Sequence, residues 1–126
     1  MVTQGNTHAP HFVKTDHSVP VKMPTIKSDT WQRITFDMGQ VVYNELGTGR
    51  NALPENTKVK IYGKTGTAEN PHGEDHAWYI GWMNYEKQNY SAVILLENSG
   101  SGGAIAAPIA KKVFDIITEN KKVVHK

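Results

Sequence analysis

From Val59 to Thr67 the chain alternates: Val59, Ile61, Gly63, Thr65 and Thr67 fall on one face by period two, and Lys58, Lys60, Tyr62 and Lys64 on the other. The alternation predicts a strand over residues 58–67. A second strand is expected over 77–83, with Trp78, Ile80 and Trp82 on one face. A polar turn over 84–89 then closes a hairpin with a third strand over 90–97. Ala92-Val93-Ile94-Leu95-Leu96 is apolar on both faces, the pattern of a strand covered on each side. In a sheet of three this leaves an open apolar edge along 92–96, to be covered by residues 1–24 or by a second copy of the chain.

Elsewhere the period is three to four. Trp31, Ile34, Met38, Val41 or Val42, and Glu45 or Leu46 form one stripe of a helix. Ser28 or Asp29 is placed to cap its first turn, and Gly47 to end it in the left-handed conformation. A second helix is expected from Ala104, with Ile105, Ile109, Val113 and Ile116 inward and Pro108 tolerated near its start. Asn120-Lys121-Lys122 should fray. Pro10, Pro20 and Pro24 forbid a long helix near the N-terminus, so residues 1–27 read as an extended arm or linker with one or two short strands. The fold class is α+β: an antiparallel three-stranded sheet with two main helices.

With 126 residues the chain is one domain at most, and 38% hydrophobic with 21% charged residues describes an ordinary globular piece. A net charge of +2 with scattered lysines gives no electrostatic case for nucleic acid. The absence of cysteine excludes disulfides and thiolate metal sites. No apolar run has the length of a membrane span, and Met1-Val2-Thr3-Gln4-Gly5-Asn6 is too polar for a signal peptide. That fits a segment of a longer protein and fits a cytosolic protein equally well.

Candidate chemistry concentrates in Gly63-Lys64-Thr65-Gly66-Thr67. Glycine inside a strand often marks close approach of a ligand or another backbone. Thr65 and Thr67 bring two hydroxyls and nearby N–H groups, and Lys64 an ammonium, an arrangement suited to a carboxylate lying along a strand edge. A plain surface strand ending in a glycine turn is the bland alternative. A phosphate-binding loop is the sharper one, because Gly63-Lys64-Thr65 matches the end of G-x-x-x-x-G-K-[ST]. It fails because position 58 is lysine and Asn70-Pro71-His72-Gly73 breaks the helix that should follow. His8, His11 and His17, and the run His72-Gly73-Glu74-Asp75-His76, lack zinc-site spacing, so no metal and no cofactor are expected.

The order of Lys64-Thr65-Gly66-Thr67-Ala68-Glu69, His76-Ala77-Trp78-Tyr79-Ile80-Gly81-Trp82, Ala92 to Asn98 and Gly102 to Ala110 resembles the C-terminal part of penicillin-binding transpeptidases, nearest the class B elongation type, penicillin-binding protein 2. The resemblance runs from Val59 to Thr118 and more loosely from Ser28 to Gly49. It implies a partial β-lactamase/transpeptidase-like fold in which two further strands lie beside the last strand and a helical half carries the nucleophile.

It also implies roles. Lys64 and Thr67 would be catalytic, the first supplying positive charge and the second an oxyanion-hole N–H. Thr65, Gly66 and Thr67 would bind the substrate, with Gly66 keeping the strand slim. The implied partners are a peptidoglycan stem peptide, β-lactams, and the missing N-terminal half of the domain, and self-association through the open sheet edge is a further possibility. The parent would be anchored in the inner membrane with this domain in the periplasm. The nucleophile of the family stands in Ser-x-x-Lys; three places after Ser18, Ser28, Ser91, Ser99 and Ser101 stand Val21, Trp31, Ile94, Gly102 and Ala104. This chain alone is therefore expected to be inactive. The alternative is a non-catalytic binding module reusing the same sheet.

Overall fold

The computed structural model describes residues 7–8, 20–21 and 25–124, with side chains described through residue 119. In chain order the elements are β1 (Thr7–His8), β2 (Pro20–Val21), α1 (Ser28–Tyr43), a 3-10 turn (Arg50–Ala52), β3 (Lys60–Ala68), β4 (His76–Tyr85), β5 (Gln88–Leu96), a π-type turn (Gly102–Ala106) and α2 (Ala107–Val124). β1 and β2 pair antiparallel as a two-stranded piece. His11, His17 and most of the N-terminal arm lie outside the described residues.

The main sheet has the order β3-β4-β5, antiparallel throughout. Its register sets Gly63 opposite Gly81, and Gly81 opposite Ala92. Only two residues, Glu86 and Lys87, join β4 to β5, both at positive φ (49° and 62°). That backbone matches the twist of the flanking strands, which is why the turn is tighter than the polar run 84–89 suggested.

The inner face of the sheet carries the core. Ile61, Ala77, Tyr79 and Met83 are fully buried there, against Ala106, Ala107, Ala110 and Phe114 of the C-terminal helical segment. The helix face expected from Ile105, Ile109, Val113 and Ile116 is therefore rotated: Ile105 and Ile116 are 41% and 56% exposed. Pro108 has no N–H to give the carbonyl four residues back, and the π-type turn before it shifts the phase of everything that follows. The alanines that face inward let the helix approach closely, and Phe114 fills the gap beyond them. The helix also continues through Asn120-Lys121-Lys122 to Val124 rather than fraying there.

α1 differs from expectation at both ends. Ser28 is already helical; the cap position is Lys27, which makes no side-chain capping bond. Its carbonyl instead receives the N–H groups of Thr30 and Trp31. The helix stops at Tyr43, and Asn44 turns extended, its side chain accepting the Leu46 N–H at 2.9 Å. Leu46 is consequently 93% exposed, and Gly47 is not left-handed. Gly47 is small for another reason: a β-carbon there would sit 2.3 Å from the Val41 carbonyl oxygen.

β5 is an edge strand, paired among the described residues with β4. Burial alternates along it, and Val93 and Leu95 are 60% and 44% exposed on the outer face. Coverage on both sides, expected from its apolar run, is thus absent for these residues. With Trp78 and Ile80 of β4 they form an exposed apolar strip.

Candidate functional site

β3 is the other edge of the sheet, and its last residues form the candidate site. In an antiparallel strand the N–H and C=O of one residue point to the same side, and successive residues alternate. Two bonds fix the phase here. The Ile61 N–H donates to Tyr43 Oη at 2.9 Å, and the Thr65 carbonyl accepts from Lys64 Nζ at 2.5 Å. Neither partner belongs to β4, so the odd-numbered residues of β3 turn their polar backbone toward the open edge. By the same phase the Thr67 N–H points there.

The side chains divide by the same period. Lys64 is exposed on the outer face, in the row of Ile80 and Val93, and its ammonium bends round the edge to the Thr65 carbonyl. Thr65 and Thr67 lie on the inner side, half-buried and exposed respectively. Thr65 Oγ1 is 2.7 Å from Thr48 Oγ1, and Thr67 Oγ1 accepts the Gly102 N–H at 3.2 Å. These residues line a cleft of about 540 Å³ with Asn51, Gly66, Ser101, Gly103 and Ala104. One ammonium, several hydroxyls and outward N–H groups, with no carboxylate among the described lining residues, are chemically suited to an anion.

Glycines hold this edge in place. A β-carbon on Gly102 would lie 2.2 Å from the Gly66 carbonyl oxygen and 2.4 Å from that of Trp78, so only glycine lets the start of the second helical segment rest on the strand backbone. One residue before Lys64, Gly63 leaves room for Tyr79, whose ring covers the Gly63–Gly81 pair. Tyr79 is fully buried, and among the described residues its hydroxyl has no hydrogen-bond partner. Burial, and secondarily Tyr43, push its pKa well above the ordinary phenol value.

Lys64, Thr65, Gly66 and Thr67 are therefore brought together at one accessible strand edge. Thr48, Asn51, Ser101 and Gly103 join them without having been singled out from the sequence. The glycines flanking Thr48 were the one signal for it, because they allow a turn to approach a strand closely. β3 leads through a polar turn directly into β4, so the helix that a phosphate loop requires does not follow it. His76 Nδ1 accepts the Asn98 N–H at 3.0 Å, and among the described residues no three potential metal ligands cluster.

An antiparallel sheet edged by K-T-G-T, with the C-terminal helix on its inner face, defines the class: the chain belongs to the transpeptidase family described as the penicillin binding protein transpeptidase domain, which matches residues 1–115. Among particular relatives, peptidoglycan D,D-transpeptidase MrdA of Haemophilus influenzae is 30% identical over 140 residues, covering 91% of this chain and 21% of that protein. Peptidoglycan D,D-transpeptidase PbpA of Mycobacterium tuberculosis is 41% identical over 68 residues, covering 45% of this chain and 13% of that one. The fold is similar to Pseudomonas aeruginosa PBP2 in complex with WCK 5153, at TM-score 0.64 and 30% identity over 76% of this chain and 21% of the other. It is also similar to penicillin-binding protein A of M. tuberculosis in its imipenem acyl-enzyme complex, at TM-score 0.64 and 26% identity over 90% of this chain and 27% of the other. The chain spans about a fifth of the length of the MrdA relative. It is a partial transpeptidase fold of the penicillin-binding protein 2 type.

Proposed function

We propose that residues 1–126 form the K-T-G side of the active-site cleft of a peptidoglycan D,D-transpeptidase, with the nucleophilic serine supplied from outside them. The single observation that carries this is the edge geometry of Lys64 to Thr67: an ammonium, two hydroxyls and an outward N–H on one accessible strand end. In this reading Thr65 and Thr67 hydrogen-bond the terminal carboxylate of a D-alanyl-D-alanine stem peptide or the carboxylate of a β-lactam. Lys64 adds positive charge beside it, and Gly66 lets the peptide lie against the strand. The Thr67 N–H, together with the N–H of that external serine, stabilises the oxyanion that develops as the serine attacks.

The remainder of the domain covers the outer apolar strip of Trp78, Ile80, Val93 and Leu95, and without it a second copy does so. The parent protein is anchored in the inner membrane with this domain in the periplasm; no described helix of the present chain is long and apolar enough to cross a membrane. Labelling with a fluorescent penicillin tests the assignment. The chain alone takes no covalent label, and a longer protein carrying it takes label that is lost when its Ser-x-x-Lys serine is replaced by alanine. A stable acyl adduct on this chain alone would overturn these roles.

A further inference from the structure

Thr48 and Thr65 are 17 positions apart in sequence, yet their hydroxyl oxygens are 2.7 Å apart at the cleft. Thr48 is exposed, so burial does not force its hydroxyl to find a protein partner. Its backbone is nonetheless tightly held. The Gly49 N–H donates to the Val41 carbonyl at 2.9 Å, and Asn51 Nδ2 donates to the Gly103 carbonyl at 3.0 Å. Gly103 rests so closely on Thr48 that a β-carbon would come within 2.5 Å of the Thr48 carbonyl oxygen. The turn between α1 and β3 is thereby fastened to the start of the second helical segment, with the Thr48 hydroxyl aimed at Thr65.

A threonine hydroxyl has one proton. If Thr65 donates to Thr48, that proton cannot reach an anion in the cleft. If Thr48 donates instead, Thr65 accepts and its own proton is free to point outward. Thr67 is already fixed in this second sense, because its oxygen accepts the Gly102 N–H at 3.2 Å. We infer that Thr48 is a positioning residue that donates to Thr65 Oγ1 and turns the Thr65 proton toward a carboxylate bound in the cleft. The two hydroxyls then act as a matched pair of donors, one held by a backbone N–H and the other by a side chain. A chain of two hydroxyls ending on a charge polarises each bond in the same direction. The inference rests on the proposed role of Thr65 as a carboxylate ligand.

The test is an NMR titration of the chain with N-acetyl-D-alanyl-D-alanine, with the methyl ester of the same dipeptide as the control that lacks the charge. Thr48→Val keeps the shape and loses the hydroxyl, whereas Thr48→Ser keeps the hydroxyl and loses the methyl. Thr48→Val is expected to weaken binding of the acid about five- to tenfold, the worth of roughly one hydrogen bond. Thr48→Ser should stay within about twofold of the parent, and thermal melting of the Ser variant shows whether its fold is intact. Should Thr48→Val bind like the parent while Thr65→Val is weakened, the positioning role is wrong and the carboxylate site stands. Should Thr48→Ser fail as badly as Thr48→Val, the contact is steric and the role is also wrong. If the parent does not bind the acid, or binds acid and ester alike, the carboxylate reading falls and takes this inference with it.

Discussion

Replacing Gly63 by alanine puts one methyl group where the Tyr79 ring lies. The added β-carbon would be 2.1 Å from the Tyr79 hydroxyl oxygen, 2.4 Å from Cζ and 2.9 Å from Cε2. Ordinary contacts at a β-carbon begin near 3.4 Å, so the ring must withdraw by roughly an ångström or the strand must bend. Gly81 on the neighbouring strand makes room for the same ring, since a β-carbon there would lie 2.9 Å from Tyr79 Cε1 and from the hydroxyl. Overpacking a closed core costs typically 1–3 kcal/mol, and a rigid ring against backbone belongs at the upper end, about 3 kcal/mol. For a domain of this size that is a fall of roughly 12 °C in the thermal midpoint. Circular dichroism melts of the parent and Gly63→Ala measure it. Combining Gly63→Ala with Tyr79→Phe should restore only part of the loss, because the Cζ overlap remains when the hydroxyl is gone. A Gly63→Ala variant that melts with the parent would refute the packing described for this slot.

Two further outcomes concern the same core and the hairpin beside it. Tyr79→Phe removes a buried hydroxyl that has no partner among the described residues and should raise stability by about 1 kcal/mol at neutral pH, read from urea unfolding. It should also flatten the alkaline limb. Below the ordinary phenol pKa of 10.0 both folded and unfolded states keep the Tyr79 proton; above it the unfolded state releases the proton while the folded state holds it. Tyr79 thus lowers stability as pH rises past 10, by up to about 1.4 kcal/mol per unit, and unchanged alkaline unfolding of Tyr79→Phe would contradict this. At the β4–β5 turn, Glu86→Asn with Lys87→Gly places residues that favour positive φ where both residues already adopt it. The double variant should gain about 1 kcal/mol in the same assay, and a loss would mean that Glu86 and Lys87 contribute bonds worth more than the backbone preference.

Much of this architecture could be read from residue order alone. Period-two alternation located β3, and the glycines, lysine and threonines on it marked the candidate site, because a strand exposes its chemistry every second residue. What escaped was set by tertiary geometry. The phase of the C-terminal helix depends on a π-type turn before Pro108, and Ile105 and Ile116, which looked core-like, ended outside while Ala106, Ala107 and Ala110 went in. The end of α1 was placed too late because Leu46 fits the periodicity; Asn44 stops the helix with its own side chain first. Thr48 read as loop because its partner is 17 residues away, and a hydrogen bond across such a distance leaves no periodic trace.

In the proposed function Lys64 serves the cleft and not the fold. Its side chain is exposed, and its hydrogen bond runs to the neighbouring Thr65 carbonyl. The sharpest check is the rate of acylation by fluorescent penicillin in a full-length transpeptidase carrying this segment, compared between the parent and Lys64→Ala. The expected result is a fall of about 10²–10³-fold, the range for removing one electrostatic stabiliser, with the thermal midpoint unchanged. Equal rates for the two proteins, both folded, would remove Lys64 from the cleft's chemistry and contradict the proposed function.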